Sequence, residues 1–479
     1  MLLAILALSA TAASAADPPT RPCRLKGVEH AAQCGQLIRA LDPTDPQGVK
    51  IDLHFAVLPA LARHKKPDPV FFLAGGPGQS AIELAGPMGR MLARLGNRRD
   101  IVLVDQRGTG LSAPLKCEEQ APTSLLVQQI DPALQAQRLE DCRQDLMRLP
   151  HGDLRHYTTS IAATDLDAVR QALGVEQVNL VAASYGTRLA LEVMRRYPAT
   201  VRRAVLDGVV PPDMALPQAS ATDTQATFDA LFVACHAEAA CHGRYPMLRA
   251  EWSSLLSSLP RTVSLAHPLT GKTETVQLTR DMLLALVRVP LYAPVVASAL
   301  PAAIHQAARG DFTPLVGLSS AVGGGRRSAL AQGMHFSVVC SEDVPRMAQT
   351  AAALAQDFGA GLAPLYQQVC HDWPRGSIPA DFYTLPKVTT ATLLLSGGLD
   401  PVTPPHHGER VASSLGPLAR HVVVPKAGHG LLSLGCIRDV AFRFIDAPTD
   451  AEALQVKADC ARDIPRPPAF VPLGVALPP

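Results

Sequence analysis

Residues 180–188 read Leu-Val-Ala-Ala-Ser-Tyr-Gly-Thr-Arg, an apolar run that turns at Ser184 and leads into a helical segment. This is the form of a nucleophile elbow, in which a buried strand ends at a serine held in a strained turn between small neighbours. The common pattern is Gly-x-Ser-x-Gly. Here Ala182 takes the first glycine position and Gly186 keeps the second. Taken alone, the stretch also reads as an ordinary strand-to-loop turn, and its weight comes from three other segments.

Phe71-Phe72-Leu73-Ala74-Gly75-Gly76-Pro77-Gly78 is a second apolar strand running into a tight glycine turn. Such a turn can aim backbone N–H groups at the oxyanion of an acyl-transfer intermediate. Ile101-Val102-Leu103-Val104-Asp105-Gln106-Arg107-Gly108-Thr109-Gly110-Leu111-Ser112 is a third strand entering a polar, glycine-rich loop. Asp105 and Arg107 read there as a loop-fixing ion pair. Near the C-terminus, residues 392–404 form a strand, a glycine turn and Asp400, and residues 421–430 form a short strand ending at His429 between glycines. The order serine, acid, histidine, each just beyond a strand, is that of an α/β-hydrolase triad. In an open parallel sheet the strand C-termini share one edge, so residues distant in sequence converge there. Ser184, Asp400 and His429 are therefore the expected catalytic residues.

Strands expected at Ile51–Leu58, Val70–Leu73, Ile101–Val104, Val178–Ala182 and Arg203–Leu206 alternate with helices. Of these, Thr159–Leu173 carries Leu166, Val169 and Leu173 at helical spacing, and Gly174 stops it. The pattern predicts an α/β fold with a mainly parallel, doubly wound sheet. After Pro211-Pro212 the pattern changes to Ala- and Leu-rich helical stretches. Residues 213–335 are therefore expected to be an inserted helical cap. Residues 16–212 and 336–479 form the two parts of the core, the second carrying the acid and the histidine.

These segments together resemble the serine prolyl and tripeptidyl aminopeptidases of the α/β-hydrolase superfamily. The C-terminal run through Gly428-His429-Gly430 resembles the C-terminal domain of the secreted tripeptidyl aminopeptidase branch. The resemblance implies that Ser184, Asp400 and His429 are the triad, and that the N–H groups of Gly75 and Tyr185 form the oxyanion hole. It implies peptide substrates with a free N-terminus, and no cofactor or metal is expected. Two departures are visible: Ala74 stands where prolyl aminopeptidases commonly have histidine, and Ala182 opens the elbow. A carboxylic-ester or lactone hydrolase on the same triad is the alternative, and a non-catalytic binding protein is disfavoured by the intact triad.

The chain has 479 residues, a formal net charge of +2 and 47% hydrophobic residues. That length supports a large core. Near-neutral charge argues against nucleic acid or an acidic membrane as a partner, and a monomer is expected. Residues 2–10 are apolar and Ala13-Ser14-Ala15 fits a cleavage site, so residues 1–15 are expected to be a signal peptide and the protein exported, periplasmic or secreted. No other run reaches membrane-spanning length, so no stable membrane insertion is expected.

The ten cysteines, Cys23, Cys34, Cys117, Cys142, Cys235, Cys241, Cys340, Cys370, Cys436 and Cys460, fall as five sequence-local pairs without a zinc or redox spacing. Five disulfides in an oxidising compartment are expected. Nearest-neighbour pairing is the low-entropy choice, though spacing does not prove it. The resemblance agrees for Cys340–Cys370 and Cys436–Cys460.

Other polar groups rank lower. His406-His407 with Glu409 reads as a solvated helix face rather than a metal site, because adjacent helical residues point about 100° apart. Glu342, beside Asp343, is a candidate anchor for a substrate ammonium, against a plain loop acid pair. Asp207 reads as fixing its own turn before Gly208. Arg326-Arg327 after Gly323-Gly324-Gly325 reads as a solvated loop.

Overall fold

The computed structural model describes residues 20–118, 125–327, 330–347, 356–385 and 389–472. The expected signal peptide, residues 1–15, lies outside the described residues. The strands are β1 Thr20–Cys23, β2 Ala32–Ala40, β3 Lys50–Leu58, β4 Val70–Leu73, β5 Ile101–Val104, β6 Val178–Ala183, β7 Val201–Asp207, β8 Arg261–Ala266, β9 Thr273–Leu278, β10 Ala391–Gly397 and β11 Ala419–Val424. Nine of them form one sheet in the order β1-β2-β3-β5-β4-β6-β7-β10-β11. From β5 to β11 every neighbouring pair is parallel. At the other end β1, β2 and β3 add antiparallel pairings, and β3 joins β5 antiparallel. β1 and β2 have no counterpart in the sequence reading, since β2 is mostly half-buried and lacks the continuous apolar run of the central strands.

The central strands are buried on both faces, as a parallel sheet between helices requires. Alternate residues go to opposite sides. Phe72, Leu103, Val181, Val205 and Leu395 pack with the helix Gly435–Asp446. Phe71, Val102, Leu180, Leu206 and Leu394 pack with the helices Thr159–Ala172 and Tyr185–Arg196.

Between β7 and β10 no described residue joins this sheet. The insertion builds its own core around Phe228, Trp252, Leu283, Leu300 and Phe312, among others. It is not wholly helical: β8 and β9 form an antiparallel hairpin in perfect register from Arg261↔Leu278 to Ala266↔Thr273. Its alternation of exposed and buried residues over only six positions was lost among the Ala- and Leu-rich helices. The backbone of 313–327 is helical, so Gly323–Arg327 continues a helix where a loop was expected. The proline-rich tail lies on the insertion, with the Phe470 N–H donating to Ser298 O at 2.9 Å and the Ala469 N–H to Glu238 Oε2 at 3.1 Å.

Five disulfides join Cys23–Cys34, Cys117–Cys142, Cys235–Cys241, Cys340–Cys370 and Cys436–Cys460. Among the described residues no helix is long and apolar enough to cross a membrane.

Candidate active site

The site lies at the C-terminal edge of the parallel strands. β6 ends at Ala183, and Ser184 follows with φ 54° and ψ −127°. A serine pays backbone strain to sit at positive φ, and that strain persists only where surrounding structure imposes it. The surroundings do so from two sides. The Ser184 N–H donates to Asp207 O at 2.8 Å, across to the end of β7. Beyond Ser184, a side chain at Gly186 would come within 2.3 Å of Leu73 O, so only glycine lets the elbow helix close onto the end of β4. Ala182 is not at positive φ, so glycine's conformational freedom is not needed there, and its methyl group is fully buried.

The residue after Ser184, Tyr185, opens the helix Tyr185–Arg196. First-turn N–H groups have no partner within their own helix and carry its positive end. Gly75 faces the same point from β4, since a side chain there would lie 3.1 Å from Ser184 Cβ. The two backbone segments expected to supply oxyanion donors thus flank the Ser184 side chain. The turn after Gly75 is braced from behind: His335 Nδ1 lies 3.2 Å from Pro77 O, and its Nε2 is 2.8 Å from the Tyr366 hydroxyl. Burial pushes His335 down to about 4, so it braces the turn as a neutral ring.

His429 donates from Nδ1 to Asp400 Oδ2 at 2.7 Å. Asp400 is fully buried, and its carboxylate also accepts from the Val402 and Thr403 N–H groups at 2.9 Å and from Thr403 Oγ1 at 2.6 Å. Burial alone would raise this carboxyl. The His429 charge and hydrogen bond, with the Thr403 donors, outweigh it and hold Asp400 below the usual carboxylate range. An ionised Asp400 keeps the His429 proton on Nδ1 and leaves Nε2 as the basic nitrogen. The imidazole also reaches the serine side of the edge. A side chain at Gly208 would meet His429 Cε1 at 3.1 Å, and Gly208 directly follows the carbonyl that binds the Ser184 N–H. Ser184 and the His429 ring therefore both lie against the Asp207–Gly208 turn.

That turn does more than the sequence indicated. The Asp207 carboxylate reaches the loop after the histidine, accepting from the Leu431 N–H at 2.9 and 2.8 Å and from the Leu432 N–H at 2.9 Å. The role of fixing its own turn is corrected to one of holding the His429 loop. Burial raises the Asp207 carboxyl, against the lowering effect of those N–H donors. The insertion grips the same loop: the His429 N–H donates to Tyr292 O at 3.0 Å, and the two rings meet edge to face with centroids 5.5 Å apart. No spacing rule links residue 207 or 292 to residue 429, so both contacts were invisible in one dimension.

Two other expectations change. Asp105 and Arg107 do not pair with each other. Asp105 accepts from Ser80 Oγ at 2.6 Å and from the Ile82 and Leu111 N–H groups, tying the two glycine loops together. Arg107 forks onto Asp165 at 2.7 and 3.0 Å. Two residues apart at a strand end, their side chains leave in different directions and find separate partners.

Glu342 also has another setting. It is fully buried, and accepts from the Thr159 N–H at 2.7 Å and Thr159 Oγ1 at 2.9 Å, with Arg188 at 3.4 Å. Thr159 Oγ1 in turn lies 2.8 Å from the Tyr185 hydroxyl. With both carboxylate oxygens engaged and no surface exposed, Glu342 does not face substrate. It sits beneath the elbow helix and braces Tyr185. Burial, partly offset by Arg188 and Thr159, pushes it up to about 7.

Comparison with known proteins follows the same two-part layout. Residues 68–231 match the family described as alpha/beta hydrolase fold, and residues 355–453 match the family described as TAP-like protein. The chain is 31% identical over 191 residues to a tripeptidyl aminopeptidase of Streptomyces lividans, covering 38% of this chain and 36% of that one. It is 30% identical over 208 residues to serine protease Hip1 of Mycobacterium tuberculosis (40% and 39% covered). It is also 31% identical over 169 residues to the putative hydrolase YuaR of Escherichia coli (35% and 33% covered). The matched region thus spans between about a third and two fifths of these relatives. With the parallel sheet and the turn at Ser184, the chain has the α/β-hydrolase fold, and its residues 68–231 and 355–453 carry segments of the alpha/beta hydrolase and TAP-like types.

Proposed function

We propose that the protein is a serine hydrolase whose triad is Ser184, His429 and Asp400. The observation that carries this reading is the 2.7 Å bond from His429 Nδ1 to a buried Asp400, with the imidazole packed on Gly208 beside the strained Ser184. Ser184 Oγ attacks the scissile carbonyl carbon while His429 Nε2 takes its proton. The carbonyl oxygen becomes an oxyanion and accepts from the Tyr185 and Gly75 N–H groups. Collapse of this intermediate breaks the bond to the leaving group, which His429 protonates, and leaves Ser184 acylated. Water, deprotonated by His429, then hydrolyses the ester and restores the serine.

The substrate is proposed to be a peptide with a free N-terminus, from which a short N-terminal piece or single residue is released, of tripeptidyl or prolyl type. The TAP-like segment and the tripeptidyl aminopeptidase relative support this reading over the ester or lactone alternative. Five disulfides suit an oxidising compartment, and the protein is proposed to be exported, to the periplasm or beyond.

The test is a panel of aminoacyl-, dipeptidyl- and tripeptidyl-chromogens, each free and N-acetylated, alongside short acyl esters. Recognition of an ammonium by charge-assisted hydrogen bonds is worth about 1.5–3 kcal/mol. Acetylation should then lower kcat/KM by about 10- to 100-fold. Equal rates on free and blocked peptides, with faster ester cleavage, would replace the aminopeptidase reading by the esterase one.

A further inference from the structure

A second cluster of chemistry-bearing side chains lies where the insertion meets the loop that carries Asp400. The helix Pro405–Leu415 begins just after that loop and places His406 and His407 in its first turn. From the insertion, the helix Leu216–Ala237 brings Asp223 against both rings. His407 Nε2 is 2.9 Å from Asp223 Oδ2, and His406 Nε2 is 3.6 Å from Asp223 Oδ1. The rings lie with centroids 3.9 Å apart, and one ligand atom from each of the three residues fits within 4.8 Å of the others. The expectation of a solvated face therefore fails for His407, which is buried, as is Asp223. Adjacent helical positions diverge along a regular helix, but here a carboxylate from another element faces both rings.

We propose that Asp223, His406 and His407 bind a divalent transition-metal ion of the zinc class. Two imidazoles and a carboxylate are the borderline donors that such ions prefer. Donor atoms held about 2.0–2.1 Å from a tetrahedral ion are about 3.3 Å from each other. The observed separations, 2.9 Å from His407 to Oδ2 and 3.6 Å from His406 to Oδ1, each lie within about half an ångström of that value, one to each carboxylate oxygen. His406 is the open side of the cluster, with 60% of its side chain exposed, and gives an ion its way in. Among nearby charged groups, Arg410 pairs with Asp213, and Glu409 is exposed.

The ion would clamp the insertion to the body of the enzyme. Next to Asp223, Thr224 Oγ1 donates to Pro401 O at 3.1 Å, one residue from Asp400. The His407 N–H donates to Pro404 O at 3.2 Å. A metal joining residues 223, 406 and 407 therefore ties both ends of the segment 401–404 to one inserted helix.

The experiment uses the purified protein, stripped with a chelator and titrated calorimetrically with Zn2+, with Co2+ absorption as the probe of nitrogen ligation. The expected result is one saturable equivalent, a higher Tm and a Co2+ band. His406→Gln, a change at an exposed position, should weaken Zn2+ affinity by at least about tenfold, since loss of even an outer partner of a metal site costs 10- to 100-fold. Asp223→Asn should weaken it too. His371→Gln, at an 81% exposed side chain away from the cluster, should bind as the parent does. Failure to bind one equivalent, or undiminished binding by the His406→Gln variant, would overturn the proposal. Because binding is read without turnover, its failure leaves the hydrolase reading untouched.

Discussion

The Asp207 carboxylate accepts the Leu431 N–H through both oxygens, at 2.9 and 2.8 Å, and so joins the end of β7 to the loop that presents His429. The Asp207 carbonyl meanwhile receives the Ser184 N–H. One residue therefore sets the position of the proposed nucleophile through its backbone and of the proposed base through its side chain. Its neighbour Gly208 leaves room for the His429 imidazole against that turn.

Asp207→Asn should act as a positioning defect. The amide keeps one acceptor oxygen and turns an NH2 group toward the Leu431 or Leu432 N–H. A shift of His429 by a fraction of an ångström should lower kcat by about 10- to 100-fold. Steady-state kinetics on a chromogenic peptide should show this with little change in KM. An unchanged kcat would mean that the Tyr292 contact alone holds the loop.

Ser184→Ala should abolish turnover, with a loss of several orders of magnitude in kcat. Circular dichroism should stay that of the parent, and labelling by an organophosphonate should vanish. Asp400→Asn should lower kcat by about 10⁴-fold, because the amide favours the wrong imidazole tautomer. Persistent labelling of the Ser184→Ala protein would place the nucleophile elsewhere.

Glu342 makes stability depend on pH. Its carboxyl rises from an ordinary value near 4.5 to about 7, chiefly through burial. Between those values the folded chain holds a proton that the unfolded chain has released. The stabilisation from this group is full below about pH 4.5 and is lost as pH rises through about 7. Glu342→Gln removes the titration, so Tm plotted from pH 4.5 to 7 should slope less steeply than in the parent. Equal slopes would show that Glu342 is already ionised across that range, held by Arg188 and Thr159.

Thiol counting on the denatured, unreduced protein should find no free cysteine, in keeping with five bridges that use all ten. Replacing Cys340 and Cys370 by serine together opens a bridge spanning 30 residues. The expected loss in denaturant unfolding is about 2–4 kcal/mol.

Much of the architecture was legible along the chain because central strands of a parallel sheet are buried on both faces. Val70–Leu73 and Ile101–Val104 are uninterrupted apolar runs, and their bounds match β4 and β5. The proposed serine, acid and histidine stand out for a related reason: each follows a strand, and the parallel topology gathers strand ends on one edge. The half-exposed β1, β2 and the β8–β9 hairpin carry no comparable signal.

What tertiary structure alone decided is which polar group meets which. Asp105 and Arg107 are two residues apart yet have separate partners, whereas Asp207 and Leu431 are 224 apart and share a hydrogen bond. Glu342 reads in the sequence as either a candidate ammonium anchor or a loop acid, whereas packing buries it under the elbow helix against Thr159 and Arg188. Hydrophobic burial is set by residue type and period, which one sequence displays. A buried charge must instead find a donor or counter-charge, and its direction is set by the elements that close around it.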